Sequence, residues 1–124
     1  MPSVLLAILS SMVKGHHAYL HQYHIGQRVT CRIEANNAHS TNAIVVESMN
    51  GETVGHIPDG LARIIKPLIR NGLIERVEGK ITGDSRSAPE GTWARGGGIE
   101  LPCKYKLYGP IKHKINVRKM LEKK

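Results

Sequence analysis

Residues 42–58 read Asn42-Ala43-Ile44-Val45-Val46-Glu47-Ser48-Met49-Asn50-Gly51-Glu52-Thr53-Val54-Gly55-His56-Ile57-Pro58. Ala43 to Val46 is apolar and largely β-branched, which fits a pleated strand. An Asn-Gly pair between two apolar runs is a strong hairpin signal, because both central positions of the favoured two-residue turn need positive φ. Thr53 to Ile57 is therefore expected to pair back on the first run, giving a β-hairpin.

The flanking sequence extends this β pattern. Val29, Cys31 and Ile33 alternate with Arg28, Thr30, Arg32 and Glu34, the period of a strand with one buried face. Ala35 to Thr41 is rich in Asn, Ser and Thr, which bond to their own backbone and favour an exposed loop. After the hairpin, Leu61, Ile64, Ile65, Leu68 and Ile69 lie at the spacing of an amphipathic helix, opened by Pro58-Asp59-Gly60 and closed by Asn71-Gly72 as a left-handed cap. Pro67 lies inside that stripe and is expected to kink or divide the helix.

Leu73 to Thr82 returns to strand character, with Val77, Gly79 and Ile81 on one face. Gly83 to Gly98 is a Ser-, Gly- and Pro-rich loop. Ile99 to Tyr108 is a last strand with Leu101, Cys103, Tyr105 and Leu107 alternating. The apolar N-terminus, Met1 to Val13, fits either a docked helical turn or a first strand. Ile111 to Lys124, with Ile111, Ile115, Met120 and Leu121 among six Lys and Arg residues, fits a short basic helix.

One domain is the expectation for 124 residues with 40% hydrophobic content. Lys and Arg outnumber Asp and Glu by 18 to 10, a formal charge of +8, which favours polyanionic partners without specifying a site. Phe is absent, and the aromatic set is Tyr19, Tyr23, Trp93, Tyr105 and Tyr108, so any surface for stacking unpaired bases must be small. Cys31 and Cys103 fall in strand-like segments and read as core thiols, not as a disulfide framework or zinc site. Val4 to Leu9 is too short to cross a bilayer and lacks a basic leader.

At this point the sequence resembles the HIRAN family. Asn36-Asn37, Asn42-Ala43-Ile44-Val45-Val46, Asn50-Gly51, Val54-Gly55-His56-Ile57-Pro58 and Leu61-Ala62 stand in the family's order and spacing. Gly72-Leu73-Ile74, Val77-Glu78-Gly79 and Tyr105-Lys106-Leu107-Tyr108-Gly109 look similar too, so the resemblance covers roughly Met12 to Gly109. It implies a modified oligonucleotide-binding barrel, found with DNA translocases and also alone, whose best-understood member holds the 3′ end of single-stranded DNA. That member's loop carries Pro-Tyr-Asp after the Asn pair, the Tyr stacking on the terminal base and the Asp accepting from the 3′-hydroxyl.

Here those positions are Ala38, His39 and Ser40. An imidazole still stacks and a hydroxyl still bonds, but Ser is a weaker acceptor than a carboxylate. The family's Arg-Tyr-Tyr becomes His17, Ala18 and Tyr19, and Asp59 replaces a Lys, removing one phosphate contact. Asn37 and His56 match the family. Asn37 also fits a loop-bracing role through side-chain to backbone bonds.

His16, His17, His21 and His24 would converge on a metal only if their segment were helical; the resemblance puts the first two on a strand end, facing opposite ways. A solvated histidine loop that gains charge below about pH 6.5 is the plainer reading. Glu75, Glu78, Glu90 and Glu100 form no recognisable catalytic pair, and Gly96-Gly97-Gly98 lacks the frame of a phosphate-binding loop. Trp93 with Arg95 fits a base-stacking pair or, equally, a cap folded over the barrel.

The expected fold is thus mainly β with two short helices (α+β), a modified oligonucleotide-binding-like small β-barrel. Its expected parts are an apolar N-terminal extension (residues 1–11), a HIRAN-like domain (12–109) and a basic C-terminal helix or tail (110–124). The expected function is a binding module for single-stranded DNA or DNA 3′ ends, with His17, Tyr19, Asn37, His39, Ser40 and His56 as nucleic-acid-binding residues. No catalytic residue, metal or cofactor is expected, and the protein is expected to be an intracellular monomer, nuclear or cytoplasmic, without membrane contact. The alternative is a protein-interaction or scaffold module that kept the barrel after its terminal-nucleotide pocket decayed. A third reading makes the basic tail, including Lys112, Lys114, Arg118 and Lys119, the sole contact with nucleic acid or anionic lipid.

Overall fold

In a computed structural model, which describes residues 2–15, 23–35, 41–87 and 99–122, the alternating segments become strands and the 3.6-period stripe becomes a helix. The elements are β1 (Val4–Lys14), β2 (Arg28–Ile33), β3 (Ile44–Ser48), β4 (Thr53–His56), α1 (Asp59–Arg70), β5 (Arg76–Ile81), β6 (Arg86–Ser87), β7 (Ile99–Gly109) and α2 (Lys114–Glu122), with a 3-10 turn at Ile111–His113 before α2. Among the described residues, antiparallel pairing runs β1-β4-β3-β2-β5-β7 and returns to β1, closing a barrel of six strands, while the short β6 pairs with the start of β7. Closure leaves no long bare edge, the recurrent hazard of a small sheet.

The period of two fills the interior. Leu6 and Val13 of β1, Val29 of β2, Val77 and Ile81 of β5, and Leu101, Cys103, Tyr105 and Leu107 of β7 are all buried. β3 buries Ile44, Val45 and Val46 in succession, so both of its faces are covered, as its unbroken apolar run implies. Leu61, Ala62, Ile65 and Leu68 of α1 and Val117 and Leu121 of α2 join the same core cluster. The Tyr105 hydroxyl, fully buried, donates to the carbonyl of Met12 at 2.6 Å. This ring is spent on the core and cannot stack a base. Burial also pushes the Cys103 thiol up to about 11 and the half-buried Cys31 thiol upward, so both remain neutral packing groups near pH 7.

The N-terminus resolves as strand. β1 pairs with β7 from Val4 opposite Gly109 to Lys14 opposite Glu100, and the expected boundary between residues 11 and 12 falls inside it. Register slips between Leu5 and Ala7, leaving Leu6 as the extra residue of a bulge. The Leu6 carbonyl accepts from Nε of Arg118 at 3.1 Å. One of the tail's basic residues is therefore committed to fastening α2 onto the barrel.

Two local expectations need correction. The Asn50-Gly51 turn has positive φ only at Gly51 (84°), with no positive-φ non-glycine residue among those described. Gly51 N–H bonds to Ser48 O at 2.9 Å and Ser48 N–H to Glu52 O at 2.8 Å, the pattern of a three-residue loop ending in a left-handed glycine. The Ser48 hydroxyl selects it by accepting from the N–H groups of Asn50 and Glu52.

Pro67 does not divide α1, which continues to Arg70. It sits on the exposed side of the last turn, while Leu68 beyond it is buried and holds that turn to the core. Leu73 N–H bonds to Leu68 O at 2.9 Å and Gly72 N–H to Ile69 O at 3.2 Å, a Schellman cap with Gly72 at φ 78°. Pro67→Ala is accordingly expected to raise stability by about 1 kcal/mol, the regained bond to the Arg63 carbonyl outweighing the freer unfolded chain. Urea unfolding measures this; a loss of stability would mean that the proline ring is needed for packing.

Candidate nucleic-acid interface

Gly55 sets the geometry of one barrel end. A Cβ there would lie 2.4 Å from the Lys14 carbonyl oxygen and 2.6 Å from Val13 Cγ1, so β4 presses against β1 at a distance only glycine allows. The ladder then places His56 opposite Lys14, and Lys14 opposite Glu100 of β7. Three strands thus bring one imidazole, one ammonium and one carboxylate to the same rim.

Each charge is held. Lys14 Nζ donates to Oε2 of Glu100, whose side chain is 3% exposed against 31% for the lysine. An ionised carboxylate so deeply buried requires a charged partner or bonded donors. His56 Nε2–H donates to Glu34 Oε1 at 2.9 Å, which fixes the ring's orientation and places a proton on Nε2. Glu34, the residue after β2, is in turn fixed by its N–H bonding to the Ala43 carbonyl at 2.9 Å.

These contacts fix both shoulders of the segment 36–40. Beyond it, the Thr41 carbonyl accepts from Lys66 Nζ of α1, and Ile57 N–H bonds to Ile44 O at 3.0 Å. Arg32 grips Glu47 with two bonds of 2.9 and 3.2 Å across β2 and β3. On the other side, Lys14 and Gly15 (φ 78°) precede segment 16–22, and Tyr23 follows it, its hydroxyl donating to Thr53 O at 3.3 Å at the start of β4. Segment 88–98 ends beside Glu100, where Ser87 pairs with Ile99. One flank of each segment therefore lies at Lys14, Glu34 or Glu100, the residues that surround His56.

Of the expected site residues, His56 lies on this rim. His17 and Tyr19 belong to segment 16–22, and Asn37, His39 and Ser40 to segment 36–40; these five lie outside the described residues, as do His16, His21, Trp93, Arg95 and the Ala38 position. Asp59, exposed in the first turn of α1, sits where the helix dipole favours an acid, a local structural reason for carboxylate at that position. Among the described residues no group of three His, Cys, Asp or Glu side chains could hold a metal. No described helix is long and apolar enough to cross a membrane.

Sequence reasoning passed over Lys14, Glu34, Lys66 and Glu100. Glu34 ended an alternating strand and Lys14 followed an apolar run, so each looked like an ordinary solvent-facing charge. Only the pairing of distant strands makes them neighbours.

Comparison with known proteins gives a consistent result. The family model described as HIRAN domain matches residues 8–112. The crystal structure of the HIRAN domain of human HLTF is similar, with a TM-score of 0.77 and 25% identity over 98% of this chain and 91% of that one. The HLTF HIRAN domain in its DNA-bound conformation is similar too, at a TM-score of 0.71 and 25% identity, covering 98% of this chain and 90% of that one. A Lactobacillus plantarum protein shares the fold at 17% identity and a TM-score of 0.64, covering 88% of this chain and 100% of its own. A search of curated proteins finds no match.

Proposed function

Because the chain belongs to the HIRAN family, we propose that it is a DNA-binding module that takes up the end of a single strand at the rim around His56. The carrying observation is that Lys14, which precedes segment 16–22, and Glu34, which precedes segment 36–40, both stand beside His56, so the segments that carry His17 and Tyr19, and Asn37, His39 and Ser40, start from one rim. The HIRAN domain of HLTF has a DNA-bound conformation. A net charge of +8 supplies the attraction that any phosphate backbone requires.

In this reading His39 stacks on the terminal base, Tyr19 adds a second ring, and Asn37 and Ser40 bond the terminal sugar. His56, oriented by Glu34, faces the phosphate. No reaction is assigned to the module, because the role needs binding groups and no nucleophile or acid-base pair.

Fluorescence anisotropy with a labelled single-stranded oligonucleotide tests this. The free 3′-hydroxyl end should bind more tightly than a 3′-phosphate end, and Asn37→Ala and His39→Ala should each weaken binding by about 1–3 kcal/mol, the usual worth of one stacked base or polar base contact. Binding that ignores both end chemistry and the two substitutions would favour the interaction-module reading, for which the changed positions Ala18, His39, Ser40 and Asp59 speak.

A further inference from the structure

On the outer face of the barrel, Arg28 of β2 is paired opposite Lys80 of β5, and Lys80 opposite Lys104 of β7. All three are exposed, and none forms an ion pair with another described residue. Adjacent strands are about 4.8 Å apart, so the three cations make a line roughly 10 Å long across the strands. Like charges directly opposite one another destabilise a sheet, and an anion laid along the row relieves that repulsion.

The neighbouring acids do not neutralise the row. Glu78, one ladder step away opposite Lys106, holds Arg76 at 2.7 Å, and Arg76 itself covers the Tyr108 ring at 4.2 Å. Glu47 is taken by Arg32 at 2.9 Å. At the Arg28 end, a shallow hollow is bordered by Thr30, by the Arg76-bound Glu78 and by Met49, which is 69% exposed. Apolar surface beside unpaired cations suits a strand that presents bases as well as phosphates, which a duplex does not do.

We propose that Arg28, Lys80 and Lys104 form a second nucleic-acid contact, a track for the phosphodiester backbone of single-stranded DNA outside the strand-end site. This rests on the DNA-binding part of the proposed function and not on end recognition. The row contributes affinity and salt dependence without sequence or end preference.

The test uses the full chain, a long and a very short labelled single strand, and anisotropy across a salt series. In Arg28→Gln/Lys80→Gln/Lys104→Gln, the slope of log K against log salt for the long strand should shrink by roughly 2, since each lost phosphate contact removes about 0.7. The short strand's slope and its preference for a free 3′-hydroxyl should not change. Lys80→Glu separates binding from folding: it sets an acid between two cations, so the melting temperature should hold or rise while long-strand affinity falls roughly tenfold.

An unchanged long-strand slope with intact end preference would overturn the track and leave the strand-end site standing. A reduced slope without any end preference would support the track while removing the strand-end site. Failure of the unmodified protein to bind either strand would overturn both.

Discussion

Gly55→Ala is expected to cost about 3 kcal/mol of stability, the upper part of the range for forcing extra atoms into a packed interior. The added methyl would meet the Lys14 carbonyl oxygen at 2.4 Å, and a backbone atom in a ladder cannot swing aside as a side-chain tip can. Among the described residues β1 and β4 share a single ladder position, Lys14 with His56, so this is the thin seam of the barrel. Pushing β4 outward there would separate His56 from Lys14 and disturb the rim proposed to receive DNA. Urea unfolding gives the stability change and anisotropy the loss of binding. A variant within about 0.5 kcal/mol of the parent, the scatter of ordinary surface changes, would show that β4 stands further off than the contact indicates.

The second large effect concerns the buried pair beside that seam. Lys14→Met should destabilise the protein by about 2 kcal/mol, because it removes the cation facing a carboxylate that is 3% exposed. Breaking a fully enclosed pair costs about 3–5 kcal/mol; the lower figure applies because the lysine remains 31% exposed and water can reach its place. Lys14→Met/Glu100→Leu should recover most of the loss, since an apolar pair of similar volume carries no desolvation cost. A double-mutant cycle from urea unfolding of the four proteins gives the coupling directly. Additive losses would mean that Glu100 is stabilised by its other contacts and that the pair is incidental.

Much of the fold was legible because it depends on local periodicity. Val29, Cys31 and Ile33, then Leu101, Cys103, Tyr105 and Leu107, announce inward strand faces by alternation alone; Val29 and the four β7 residues are buried, while Cys31 and Ile33 pack partly buried against the core. The helix of Leu61 to Ile69 and its Gly72 cap are equally local. The turn at Asn50-Gly51 was misread for a specific reason: the Ser48 hydroxyl, two residues upstream, offered the backbone an alternative set of bonds. Pro67 does not divide the helix because the buried Leu68, which helix propensity ignores, keeps the final turn in place.

The candidate site divides along the same line. Val54-Gly55-His56-Ile57-Pro58 marked His56 by motif, and the net charge marked a polyanion partner. Neither could show that His56 is oriented by Glu34, or that Gly55 is where two strands touch.

By itself the sequence determined that β2, β3, β4, β5 and β7 are strands, which stripe is a helix, that the molecule is basic, and which family motifs it carries, because each of these is written in neighbouring residues; that the apolar N-terminus is a strand was decided by its pairing with β7. Only the tertiary structure decided that Lys14, Glu34, His56 and Glu100 share one rim, that Arg118 secures the tail, and that Arg28, Lys80 and Lys104 form one row. Those relations depend on strand register and barrel closure, which bring together residues far apart in the chain and carry no local signature.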